Sequence, residues 1–135
     1  MREMIFLMMG LVVMIPFSTV QGVPILAKWT FETSVPANAG PHAAEEGSGS
    51  ATGYHTSTSV VYSNPVGNGS AESFSSNYWT TVGDYYQFQT SSTGYTGIEI
   101  KFDQTRSSTG PSDFEVWCST DGTNWTTMTG YTVPA

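Results

Sequence analysis

Four side chains stand out as able to do chemistry together: Tyr85, Gln87, Glu115 and Trp117. They fall in two pairs, each spaced by two residues. On an extended strand that spacing points both members of a pair to the same face. An aromatic ring flanked by amides and carboxylates can stack on the apolar face of a sugar ring and hydrogen-bond its hydroxyls. Lys101 falls on the same face in the alternation set out below. The competing role for Trp117 is structural. Trp is usually highly buried, so the ring would pack beneath a second layer or a C-terminal continuation.

Other reactive types are sparse. Asp84, Asp103 and Asp113 could offer oxygens to Ca²⁺, but they lack the spacing of any recognisable calcium loop, and no cofactor is expected. His42 and His55 sit in a Pro/Gly/Ser-rich stretch with no Cys or Glu completing a zinc pattern, so no metal site is expected. Cys118 is the one cysteine. No internal disulfide can form, and with no His in the second half of the chain Cys118 reads as a small buried apolar residue. Glu99 and Glu115 have strand positions without the context of an acid–base pair, so the chain is not expected to be an enzyme. Ser119 to Trp125 is similar to an Asp-box hairpin, one residue short, with Asp121 bonding its own backbone.

Charge narrows the partners. The 135 residues carry four Lys plus Arg and a net charge of −7. A phosphate binder needs a basic surface, so nucleic acid is excluded, and an anionic membrane is disfavoured. A neutral ligand such as a carbohydrate, or a cation, remains compatible. Met4 to Phe17 is an almost unbroken apolar run behind Arg2, ended by Pro16 and Ser18. Val20 and Gly22 are small enough for the −3 and −1 positions of a signal-peptidase cut. Residues 1–22 therefore read as a signal peptide whose apolar run is short of the ~20 residues a spanning helix needs, and the product as secreted or cell-surface.

The elements that must position these residues are strands. Aromatics are 13% and charged residues 11% of the chain, a composition that favours β structure with an aromatic core. The pattern predicts strands at 25–33, 60–62, 83–90, 95–103, 113–119 and 124–128, with a long Pro/Gly/Ser-rich loop at 34–59. Alternation places Trp29, Phe31, Tyr86, Phe88, Ile98, Ile100, Phe102, Phe114, Val116 and Cys118 in the core. Asp121-Gly122 marks a tight hairpin. The fold class expected is all-β: an antiparallel β-sandwich, jelly-roll-like, forming one domain over 23–135. It lacks an obvious closing strand after Met128, so it is expected to be incomplete at the C-terminus.

The run Thr81 to Phe88, then Gly94-Tyr95, Phe102 to Pro111, and Ser119 to Trp125 resembles secreted bacterial β-sandwich modules of the kind found in PEP-CTERM sorting-domain proteins. The stretch Asp103 to Pro111 is its most specific part. The sorting tail of that group is absent here. Gly83-Asp84-Tyr85 and Gly94-Tyr95 are also similar to carbohydrate-binding jelly rolls. These resemblances imply an exported fold more than an activity. The function expected is a non-catalytic binding or surface-associated module for extracellular polysaccharide. The alternatives are a structural or adhesive matrix protein, or a fragment of a secreted hydrolase whose catalytic part lies elsewhere.

Overall fold

The computed structural model describes residues 2–6, 24–67 and 69–134. The fold is all-β. Its strands are β1 (Arg2–Phe6), β2 (Ala27–Lys28), β3 (His42–Ala43), β4 (Glu46–Gly47), β5 (Ser50–Tyr54), β6 (Tyr62–Ser63), β7 (Ser75–Ser76), β8 (Tyr85–Gln89), β9 (Asp113–Cys118) and β10 (Thr126–Thr132). One six-stranded sheet has the order β10-β9-β1-β8-β5-β3, and β2-β4 and β6-β7 form two-stranded sheets. β1 runs parallel to both β8 and β9. The pairings of β9 with β10, β8 with β5 and β5 with β3 are antiparallel.

The alternation read at β8 and β9 holds. Phe114 and Val116 are buried and form a cluster with Val133, against which Trp79, Tyr86, Phe88, Ile100 and Tyr131 pack. Aromatic rings extend that cluster. Phe74 lies 4.6 Å from Tyr86, Tyr86 lies 5.1 Å from Trp79, and Trp79 lies 6.2 Å from Phe114. Phe114 in turn stacks on Tyr131 at 5.9 Å. A core poor in Leu and Ile is thus filled by rings in edge-on and tilted contacts, each worth about 0.5–1.5 kcal/mol beyond its area.

β9 and β10 form a hairpin around Asp121-Gly122, but the connection spans residues 119–125 and only Gly122 of the pair has positive φ, so it is wider than the tight turn expected. Gly122 has φ 71°, and Asp121 Oδ1 accepts the Thr123 and Asn124 amides at 2.8 and 2.7 Å. These bonds, with those from the Asn124 side chain and Ser119, hold the Asp121 carboxyl well below the usual range.

Three expectations change. The strand at 25–33 shrinks to Ala27–Lys28, because Phe31 takes φ 62°, a left-handed conformation that breaks an extended run. Trp29 still packs edge-on against Phe88 at 5.3 Å, and Phe31 against Phe74 at 5.5 Å. The stretch 34–59, expected as loop, carries β3, β4 and β5. Its small residues make room for rings: a Cβ on Gly53 would come within 2.6 Å of the Tyr62 ring, and Ala51 is fully buried opposite Phe88. The segment 95–103, expected as a strand, lies outside the sheets, which leaves Phe102 40% exposed and Ile98 half-buried. The strand between β8 and β9 is β1.

β1 falls within residues 1–22, the stretch expected from the sequence to be a signal peptide, and overlaps the start of its apolar run at Met4–Phe6. The rest of that run and the cut after Gly22 lie outside the described residues. Among the described residues no helix is long and apolar enough to cross a membrane.

Candidate binding face

The core-facing residues of β8 and β5 pair directly, Phe88 with Ala51 and Tyr86 with Gly53. The intervening positions must therefore emerge on the opposite face. They form three cross-strand pairs in line: Gln89 with Ser50, Gln87 with Thr52, and Tyr85 with Tyr54. Tyr54 and Tyr85 stack with ring centroids 4.6 Å apart and planes 23° apart. Burial, then the neighbouring Tyr54, pushes the Tyr85 phenol up, so it remains a neutral hydroxyl. At the other end of this row Ser48, Gly49, Ser50, Gln89, Thr90 and Ser91 line a shallow open groove of about 340 Å³.

β9 contributes to the same face. Phe114 and Val116 turn inward, so Glu115 and Trp117 turn outward. The Trp117 indole N–H donates to Glu115 Oε2 at 2.9 Å, which fixes the ring over its own strand. Gln87 and Trp117 both register with Ile5 of β1, one strand to either side. Two strand spacings separate them by about 10 Å. All four residues singled out in the sequence thus share one face. Tyr85, Gln87, Glu115 and Trp117 are half-buried rather than fully open. Tyr54, which the sequence reading leaves in a loop, joins them through its pairing with Tyr85.

A second cluster was not legible at all. His55 Nε2 lies 2.8 Å from Ser76 Oγ, and Ser76 Oγ lies 2.6 Å from the Tyr86 hydroxyl. His55 Nδ1 lies 3.6 Å from Asp84 Oδ2. The order hydroxyl, imidazole, carboxylate is that of a nucleophile, a base and its orienting group. Yet the His55 and Asp84 side chains are fully buried, and the Trp79 and Tyr62 rings stand edge-on against the imidazole. Asp84 also accepts the Thr56 amide at 2.8 Å and the Thr81 amide at 3.4 Å. The cluster clips three segments together under an aromatic cover. No sequence spacing marks it, because its members come from a loop, a two-residue strand and a turn.

Asp84, Asp103 and Asp113 do not gather. Asp84 belongs to the clip, while Asp113 bonds Ser112 and Thr132. Among the described residues no group of three or more His, Cys, Asp or Glu could hold a metal ion. The His42 backbone carbonyl accepts a hydrogen bond from the Trp29 indole N–H at 3.2 Å, and the His42 ring packs edge-on against Phe74. Cys118 is a half-buried free thiol.

The chain matches no family model, no curated protein and no solved structure.

Proposed function

We propose that this chain is an exported, non-catalytic module that binds neutral extracellular polysaccharide along the outer face of its six-stranded sheet. The observation that carries the reading is the line of paired residues Tyr54–Tyr85, Thr52–Gln87 and Ser50–Gln89, continued across the sheet by Glu115 and Trp117. Rings at one end and amides and hydroxyls along the row suit a sugar chain, which needs stacking for its apolar face and both donors and acceptors for its hydroxyls. The net charge of −7 favours a neutral glycan over an anionic one.

Affinity electrophoresis through gels containing neutral polysaccharides tests this, with Tyr85→Ala and Trp117→Ala as variants. Retardation by at least one glycan is expected, with each substitution reducing it and the thermal midpoint barely moving. A Trp117→Ala protein that unfolds would make Trp117 a packing residue and remove it from the site. No retardation by any glycan would favour the structural or adhesive reading, for which the internally satisfied Trp117–Glu115 bond speaks. The hydrolase reading, in which the catalytic part lies elsewhere, gains nothing from the Ser76–His55 contact, because the His55 and Asp84 side chains are buried. No turnover of polysaccharide is expected.

A further inference from the structure

We propose that β1 occupies a slot in the sheet that residues 95–103 take over once the leader is removed, and that this exchange completes the binding face. The inference rests on the export reading above. Because β1 is parallel to both of its neighbours, β8 and β9 run in the same direction. The chain that connects them, residues 90–112, must travel back before β9 begins. A segment of that connection lying between them would be antiparallel to both, which is a simple meander.

Residues 95–103 suit that place. Ile98, Ile100 and Phe102 alternate with Glu99, Lys101 and Asp103, the period of a strand with one buried face. Ile100 already packs on the Phe114–Val116–Val133 cluster, so the segment lies against the core side of the sheet. Phe102 is 40% exposed and sits 5.7 Å from Tyr131. Entering the slot would bury Ile98, Ile100 and Phe102 beside Tyr86, Phe88, Phe114 and Val116. Removing residues 1–22 without replacement would instead leave the facing edges of β8 and β9 with unpaired amides and carbonyls, a costly state inside a sheet. Glu99 and Lys101, which form an exposed ion pair at 3.4 Å, would then stand on the outer face between Gln87 and Trp117 and join its two halves.

The test uses the full chain with a specific protease site placed at the junction of residues 22 and 23, cut in solution and followed by hydrogen exchange with mass spectrometry. Before cutting, amides at 96–103 should exchange quickly. After cutting, the leader fragment should dissociate, the remaining chain should stay monomeric, and those amides should slow by more than about a hundredfold, as amides within a cooperative unit do. Glu99→Pro should leave the uncut chain unchanged and prevent the gain of protection in the cut one, because a central strand cannot spare the donor. Four results would overturn the proposal: a leader fragment that stays bound while 96–103 exchange quickly; dimers formed on cutting, which give the slot to a second copy; loss of protection throughout β8 and β9; or indifference of the cut chain to Glu99→Pro. The mass of the protein recovered from an exporting host reports separately on cleavage after Gly22, so a failed export reading and a failed exchange are distinguishable.

Discussion

His55 Nδ1 faces Asp84 Oδ2 across 3.6 Å, with both side chains wholly shielded from water. Burial pulls the imidazole's proton affinity down, and the Asp84 carboxylate only partly restores it, so the His55 pKa lies below its ordinary 6.5. The ring is held neutral, wedged among Trp79, Tyr62 and the Ser76 hydroxyl.

The pH dependence follows in sign. The unfolded chain takes up a proton at His55 near 6.5, before the folded chain does. Stability therefore falls as pH drops below about 6.5, since the unfolded state binds more protons there. Thermal midpoints measured from about pH 8 to about pH 5 should decline over the lower half of that range. His55→Asn should lower the midpoint throughout and flatten the slope. An unchanged slope in that variant would place the titrating group elsewhere.

Glu45 gives the opposite kind of linkage. Burial pushes its carboxyl up, but bonds from the Thr30 hydroxyl, the Thr33 and Thr30 amides and the Thr33 hydroxyl together outweigh that and hold it at about 2. The Thr33 amide and hydroxyl approach Oε1 at 2.7 and 2.9 Å, and the Thr30 amide approaches Oε2 at 2.5 Å. One carboxylate thus fixes the turn that follows β2. Its folded pKa is depressed, so its contribution is present above 4.5 and lost as pH falls towards about 2. Glu45→Gln should lower stability at neutral pH and remove part of the acid-induced loss across that window, measured by denaturant unfolding at a series of pH values.

Legibility in the sequence followed local pattern. β8 and β9 were readable because Tyr86 and Phe88, and Phe114 and Val116, fall at alternate positions, and the same alternation placed Tyr85, Gln87, Glu115 and Trp117 on the other face. The Asp121 turn was readable because its bonds are made within three residues. β5 was not. Ser50–Tyr54 reads SATGY, with no apolar alternation, and its strand character comes from pairing with β8 rather than from its own side chains. The clip of His55, Ser76 and Asp84 is likewise a product of tertiary packing.

The pairing of β5 with β8 makes the glycine just before β5, Gly49, sensitive. A Cβ on Gly49 would meet Gln89 O at 2.4 Å and the Trp29 ring at 2.9 Å. The first contact is backbone and cannot swing aside. Gly49→Ala should therefore destabilise by about 1–3 kcal/mol, the usual cost of overpacking. Gly69→Ala is the comparison for open space, since apart from its chain neighbours no atom of the described residues lies within 4 Å of the added Cβ and the strain of φ 77° remains. Urea unfolding of both variants decides it. A negligible cost for Gly49→Ala would mean that Trp29 and Gln89 give way and that crowding does not set the requirement at Gly49.

The last prediction concerns Tyr54 and Tyr85 as a unit. Their rings stack at 4.6 Å on directly paired positions of β5 and β8, and Tyr54 remains 42% exposed. A sugar ring laid on this pair would meet one composite surface, and removing either ring would tilt or undercut the other. Tyr54→Ala should weaken polysaccharide retention about as much as Tyr85→Ala, and the double variant should lose little more than either single one. Stability should show the same coupling, with an interaction energy of about 0.5–1.5 kcal/mol in a double-mutant cycle, because stacked rings in contact are not independent. Binding losses that simply add would mean that the two rings act as separate contacts. Loss of binding with Tyr85→Ala alone would move the site inward, towards Gln87 and Trp117.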